Sequence, residues 1–406
     1  MPSLSPFRVH LARVALLNLA QALVFTTWMV FQIEVIGLTP LQLVLVGTAM
    51  EVTIFLFEIP TGVLADVYSR RLSVIIGTVL MGLAYLLMGG FPTFAAAIAS
   101  QILWGLGYTF TSGAYDAWMV DEIGQERAGE GFLRGAQVGR IAGLIGIVAS
   151  TLLAAVNLAL PILIGGVLHL VSAVLLVAFM PERGFAPTPR EERSTWGKWF
   201  GTFRDGLRVV RGRPILWSIL GIGFFFGFFS EAWDRLWQAH LIDGISVPTL
   251  FPSVVWIGIL AGVDAILGAV LVEVARRRID TNNPRQLTRA LLALTLVMIA
   301  AQIGFALSGG FALAVVLLFA FTLARGTIEP LFGVWANQHI DSNVRATVLS
   351  MQSQTDAIGQ ISGGPPLGLI GQRSIPLALI ASALTLSPAA ALLARVGRRE
   401  AQREQV

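Results

Sequence analysis

Apolar runs of about 20 residues, separated by short polar breaks, repeat from one end of the chain to the other. A helix rises ~1.5 Å per residue, so each run is long enough to cross a hydrocarbon layer ~30 Å thick. The pattern predicts twelve membrane-spanning helices, over 12–36, 41–65, 72–91, 93–119, 135–157, 159–180, 214–240, 250–274, 287–308, 310–336, 345–371 and 374–396. An even number of crossings leaves both termini on one side. Residues 1–11 carry Arg8 and lead directly into the first run, which reads as an uncleaved span acting as its own insertion signal.

The longest polar stretch, Met180 to Pro214, divides the spans six and six and contains PERGFAPTPREERST, a Pro- and charge-rich linker composition. Beyond it Trp196, Trp199, Phe200, Phe203, Leu207 and Val210 recur at helical spacing among Lys198, Arg204, Arg208 and Arg211. That spacing predicts an amphipathic helix, lying on the cytoplasmic leaflet or packed on the bundle. The expected layout is an N-terminal bundle over 1–181, a cytoplasmic linker over 182–213, and a C-terminal bundle with a basic tail over 214–406.

The halves resemble each other. GVLADVYSRR at 62–71 aligns with AVLVEVARRR at 269–278, placing Asp66 over Glu273, Arg70 over Arg277 and Arg71 over Arg278. Trp118 and Ile123 correspond in the same way to Trp335 and Ile340, and GRIAG at 139–143 to GQISG at 359–363. Repeats of matching topology are the mark of a parallel two-fold transporter architecture.

Composition narrows the class. Hydrophobic residues make up 55% of the chain and charged ones 13%, which places it in a bilayer. Of the 28 Lys and Arg, Arg140, Arg235 and Arg325 fall deep inside spans, Arg13, Arg289, Arg345 and Arg395 at span ends, and Arg373 in a loop on the far side. The rest gather at the side shared by the termini, which the positive-inside rule makes the cytoplasm. Basic residues confined to such short hairpins offer no surface for nucleic acid. The chain has no Cys, so disulfides, thiol catalysis and Cys-bound metal are excluded. No zincin, serine-hydrolase or phosphate-loop motif occurs, and no loop is long enough to hold a catalytic domain, so an intramembrane enzyme is not expected.

These features resemble the major facilitator superfamily over essentially the whole chain. That family carries a Gly, a Leu, an Asp and a basic pair between helices two and three, here Gly62, Leu64, Asp66, Arg70 and Arg71. FEIPTGVLAD, SGAYDAWMVDE and RATVLSMQSQ look like the tetracycline-efflux-like and multidrug antiporter branch. Gln101 stands where such antiporters often have an Arg, and Gly-Gly-Pro-Pro occurs at 363–366 rather than in helix five. The resemblance implies two pseudo-symmetric six-helix bundles around a central cavity. It also implies alternating access, and a monomer in a bacterial inner membrane with small-molecule substrate, protons and lipid as partners and neither cofactor nor metal. Proton-coupled efflux of small amphipathic drugs or metabolites is the first expectation, and uptake of a metabolite or a non-transporting sensor are the others. Asp66 is expected to latch the halves against the start of helix eleven near Arg345, with Glu273 as its counterpart in the second half.

An ionised side chain at mid-bilayer costs about 2.5–3.5 kcal/mol, so those retained there face a cavity or a partner. Span three holds no charge, spans nine and twelve carry only Arg289 and Arg395 at their ends, and span six only His169, read as a structural histidine. Glu34, Glu58 and Asp116 lie close enough to helix ends to reach water. Glu231 and Arg235 are four apart, as are Arg325 and Glu329, so each pair can neutralise itself along one helix face. Glu51, Asp264 and Asp356 have no opposite charge at helical spacing. An acid withdrawn from water keeps a proton more readily, so these three are the leading proton carriers, with Glu231 and Glu329 behind them. Arg140, Arg235 and Arg325 supply counter-charge. Trp28, Tyr108, Tyr115 and Trp233, with Gln21, Gln137, Gln352 and Gln360, are candidate substrate contacts through stacking and hydrogen bonds. Gly139, Gly143 and Gly146 are expected to permit close helix contact.

Overall fold

The computed structural model describes residues 5–187, 189, 197, 204, 210–245, 247–341 and 344–403. Most of the expected amphipathic helix lies outside the described residues. Among the described residues there are fourteen α-helices and no strand. The first seven are α1 (Pro6–Glu34), α2 (Pro40–Val67), α3 (Arg70–Gly90), α4 (Phe94–Thr111), α5 (Ala114–Ile123), α6 (Gln125–Ala154) and α7 (Ala159–Phe179). The second seven are α8 (Pro214–Ala239), α9 (Ser253–Arg278), α10 (Pro284–Leu307), α11 (Phe311–His339), α12 (Arg345–Arg373), α13 (Ile375–Thr385) and α14 (Ser387–Arg403). One π-helical turn, His240–Ile245, extends α8.

Among the described residues, ten of the twelve expected spans are long and apolar enough to cross a membrane by those criteria alone, α13 and α14 counting as one. The fourth span is divided where Gly113 adopts φ +69°, a left-handed conformation natural to glycine, which separates α4 from α5. The eleventh is α12, whose Gln352, Gln354, Asp356 and Gln360 make it too polar for the test. Its Pro365 and Pro366 remove two backbone donors from the ladder inside the helix. Helix starts follow ordinary capping chemistry: Ser69, Thr93, Asn283 and Ser374 each accept a hydrogen bond from a main-chain N–H three residues on. One boundary moved substantially, since α6 begins at Gln125 rather than near 135.

The chain forms two compact units. The first comprises residues 1–38, 49–199 and 251–262; the second comprises 39–48, 200–250 and 263–406. Each is discontinuous, because the beginnings of α2 and α9 are assigned away from the rest of their helices, where the sequence had suggested contiguous blocks.

Within each unit the same packing recurs. In the first, α1 lies along α6 and α7, and α3 along α4 and α7. In the second, α8 lies along α12 and α13, and α10 along α11, α13 and α14. Contact with α1 is made through Ala128, Gly131, Gly135, Gly139, Ala142, Gly146 and Ser150, a buried stripe of small residues on α6. Gly139 and Gly146 meet Asn18 and Ala22 of α1, whereas Gly143 faces open space and does not serve this contact.

The aligned tryptophans are both buried and both donate a hydrogen bond, though to non-equivalent partners. Trp118 is 1% exposed and donates to the Pro181 carbonyl at 2.7 Å, and Trp335 is fully buried and donates to Thr288 Oγ1 at 2.8 Å. Trp28 stands edge-on to Tyr85 at 5.9 Å between ring centres, and Trp233 edge-on to Phe305 at 5.4 Å. Both therefore fasten the first helix of a unit to its third.

Candidate functional site

The second unit contains a cavity of about 320 Å³ between α8, α11 and α12. Glycines set its frame. Gly227 of α8 rests against the main chain at Asp356, and Gly359 of α12 against the main chain at Phe224, so closely that a methyl group at either would overlap backbone. The two helices consequently approach at van der Waals distance on one side. Side chains from α8, α11 and α12 line the cavity beside this contact.

Asp234, Arg325, Glu329 and Asp356 bring charge to this lining. Arg325 forks onto Asp234, with Nη2 donating to Oδ2 at 2.9 Å and Nη1 to the other carboxylate oxygen. Both side chains of that pair keep about four-tenths of their exposure, 36% and 41%, so the fork borders the open cavity instead of closing it. Asp356 accepts a hydrogen bond from Gln360 Nε2 at 2.8 Å, and Gln352 lies one helical turn before it. Phe226, Phe229 and Phe332 form the apolar part of the wall. The Arg325 guanidinium carbon is 5.9 Å from the Phe229 ring centre, within cation–π range. Three carboxylates against one guanidinium leave the lining formally at −2 when all are ionised.

Asp356, Glu329, Arg325, Gln352 and Gln360 are thus gathered in one place. Other expected members are elsewhere. Arg325 makes its forked pair with Asp234 of α8, where the four-residue spacing along α11 suggested Glu329. The sequence reading counts Asp234 among the charges on spans expected to line a cavity but gives it no role. The signal available was a third charge beside the Glu231–Arg235 pair, with Arg325 nearby only in the folded chain. Glu231 and Arg235 do pair, Nε to Oε1 at 3.2 Å, but Glu231 is only 2% exposed and packs over Gly47, away from the cavity lining. Asp264 accepts from Thr322 Oγ1 at 2.5 Å, joining α9 to α11, and does not line the cavity either.

The aromatic candidates need correction. Trp233, 2% exposed, is packed on Phe321 with ring centres 3.7 Å apart and is no cavity contact. Its counterpart Trp28, 4% exposed, is likewise buried against Tyr85. Tyr115 is buried, bonded to His10 Nδ1 at 2.6 Å, with the Arg13 guanidinium 3.6 Å over its ring. Apolar bulk sends such rings to the core unless a polar neighbour holds them at the surface, and residue type alone does not separate the two outcomes. Tyr108 does remain exposed, stacked on Trp104.

In the first unit Arg140 and Gln137 are exposed on α6, and Gln21 and Glu51 are half-buried on α1 and α2. Glu34, Glu58 and Asp116 are exposed. His169 is fully buried and shares a 2.9 Å hydrogen bond between Nδ1 and the Gly165 carbonyl, as a structural histidine would.

The motif after α2 is an ion cluster. Arg70 pairs with Asp66 at 3.8 Å and with Asp121 of α5. Glu182 accepts from the Arg71 main-chain N–H at 2.9 Å and from Ser69 Oγ at 2.7 Å, which ties the chain after α7 to the start of α3. Beyond Gly62 there is open space, so its small size is not demanded by packing within the unit. In the second unit Glu273 pairs with Arg277 at the same four-residue spacing as Asp66 with Arg70, and also with Arg276, both at 2.7 Å. The alignment of the halves therefore has a physical counterpart in each unit's own ion pair.

A family model described as the Major Facilitator Superfamily matches residues 14–364 of this chain. The chain belongs to the major facilitator superfamily. It is accordingly a multi-pass integral membrane protein of the transporter type. A Bacillus subtilis (strain 168) protein, the uncharacterized MFS-type transporter YxaM, is 26% identical over 358 residues, covering 88% of this chain and 87% of that one. Among solved structures, the nucleoside transporter NupG superposes with a TM-score of 0.78 at 14% identity, over 96% of this chain and 99% of that one. A bacterial homolog to the human lysosomal transporter Spinster, inward-facing and unoccupied, gives 0.72 at 14% identity, over 98% and 97%. At such identities the likeness shows the fold. The relatives thus agree with the helical architecture of this superfamily member, while its chemistry has to be read from its own residues.

Proposed function

We propose that this superfamily member is a proton-coupled secondary transporter exporting small amphipathic molecules by alternating access. In this reading it works as a monomer in a bacterial cytoplasmic membrane with both termini cytoplasmic. One observation carries the reading: a cavity of about 320 Å³, at the lower end of small-molecule pockets, is walled by three phenyl rings and by Asp234, Arg325, Glu329 and Asp356. Carboxylates at intramembrane depth are retained at a cost, and their usual return is a role in moving ions or substrate.

The chemistry follows from the pairing. A proton taken up by a lining carboxylate removes one negative charge from the cavity and weakens its hold on a bound cation or on Arg325. Substrate and proton then compete for the same acids, which couples their movements in opposite directions. Arg325, flanked by three acids, is the charge whose position responds. The Asp66–Arg70–Asp121 cluster and its counterpart at Glu273 in the second unit are assigned to stabilising one access state, in agreement with their place at helix ends.

The experiment is reconstitution of the full chain in vesicles with an imposed pH gradient, following uptake or release of a panel of fluorescent amphipathic compounds. Gradient-dependent movement opposite to the proton supports export. Movement in the proton's direction would convert the reading to symport, and binding without movement would end it.

A further inference from the structure

We propose that the ligand of the α8–α11–α12 cavity is a compact organic ammonium ion bearing a flat apolar body, bound between Asp356, Glu329 and the phenyl rings of the wall. This deepens the transport reading and rests on it only in treating the cavity as a substrate site.

Both arms of the Arg325 guanidinium are engaged by Asp234, so that ion pair is close to internally balanced. Glu329 and Asp356 remain as the acids whose charge the lining itself does not match. The hydrogen bond from Gln360 satisfies part of the Asp356 carboxylate with a neutral donor, which orients it without cancelling its charge. An anionic ligand would meet Arg325 only by displacing Asp234 and would then face three uncompensated carboxylates. A cation meets complementary charge at once.

The wall selects the rest of the molecule. Phe226, Phe229 and Phe332 line the same cavity as the acids, and aromatic faces attract cations. A bare metal ion fits poorly, since no cluster of three or more His, Asp or Glu side chains among the described residues is arranged to hold one. The volume favours one ring with a short amine arm over a large multi-ring dye.

The counterpart positions sharpen the assignment. Under the alignment of the halves, the places of Asp234, Arg325, Glu329 and Asp356 fall on Met29, Tyr108, Ser112 and Ala136 in the first unit, none of them charged. The charge preference is therefore a property of the second unit's own side chains.

The test is equilibrium binding to the purified full-length chain in detergent, by calorimetry at neutral pH and low salt. The probes are 2-phenylethylammonium, 2-phenylethanol and 3-phenylpropionate, which share a ring and differ in charge. The ammonium ion is expected to bind at least tenfold more tightly than the other two. In Asp356→Asn and Glu329→Gln that preference should shrink, and in the double substitution it should vanish, with the alcohol's affinity little changed. Should the double substitution not fold, the rank order on the unsubstituted chain and its weakening by added salt still decide. Equal or tighter binding of the alcohol or the carboxylate, or no ammonium binding at millimolar concentration, overturns the assignment. Vesicles that bind the ammonium ion yet never move it would count against transport alone, and gradient-driven movement of the carboxylate would count against the ammonium class alone.

Discussion

Arg325 of α11 holds Asp234 of α8 in a two-armed ion pair, 2.9 Å between Nη2 and Oδ2, beside a cavity that also contains Glu329 and Asp356. A guanidinium fixed by one carboxylate with two others nearby has more than one arrangement of nearly equal charge balance, which is what a coupling element needs.

Breaking the fork tests this. Arg325→Gln and Asp234→Asn are each expected to abolish gradient-driven transport. The double substitution should unfold at a higher temperature than either single one, because no charge is left without its partner. The pair's coupling energy is expected on the order of 1 kcal/mol by thermal unfolding, modest because both side chains are partly open to solvent. Additive single effects would show that the two residues act independently.

Proton coupling should localise to the cavity acids. Asp356→Asn and Glu329→Gln are expected to lose the response to an imposed pH gradient while retaining downhill exchange of substrate. Asp264→Asn, whose partner is Thr322, and Glu51→Gln should retain more of that response. A chain in which Asp264→Asn alone removes coupling would move the proton site to the α9–α11 contact.

The close approach of α8 and α12 predicts steric sensitivity. Gly227→Val and Gly359→Val force backbone apart, and overpacking of this kind costs typically 1–3 kcal/mol, read as a lower melting temperature and lost transport. Gly62→Ala, with open space beyond it, is expected to leave the melting temperature unchanged. Should Gly62→Ala abolish transport with stability intact, the motif glycine serves movement.

The two ion pairs that end α2 and α9 differ in setting. Arg70 is 18% exposed and binds two acids, whereas Arg277 is 72% exposed. Arg70→Ala is expected to lower the melting temperature measurably and Arg277→Ala to leave it unchanged, since exposed pairs contribute little. Equal effects would contradict the reading of burial.

Membrane orientation can be tested without background labelling, because the chain has no Cys. Single cysteines introduced at Asn282 and Gln402 are expected to react with impermeant reagents only from the cytoplasmic side, and one at Gly309 only from outside. The reverse pattern would overturn the assignment drawn from Lys and Arg.

Much of the fold was legible because a bilayer imposes a one-dimensional rule: about 20 apolar residues per crossing, with cations kept to one side. Breaks inside spans were harder, since Gly113 looks like any membrane glycine until its backbone turns left-handed. Half of the cavity could be read from retained charges on α11 and α12. The pairing of Asp234 with Arg325 could not, because spacing along one helix pairs Arg325 with Glu329, and only the packing of α8 against its neighbours brings the competing carboxylate within reach. Trp233 failed for a related reason. A bulky ring near a site is as useful to the core as to a ligand, and its fate is decided by Phe305 and Phe321, residues far away in sequence.

Because Met29, Tyr108 and Ala136 occupy the places that Asp234, Arg325 and Asp356 hold in the other repeat, the charges proposed to select cargo belong to one repeat alone. Laboratory evolution aimed at new cargo should therefore accumulate its useful changes on three helices of a single repeat.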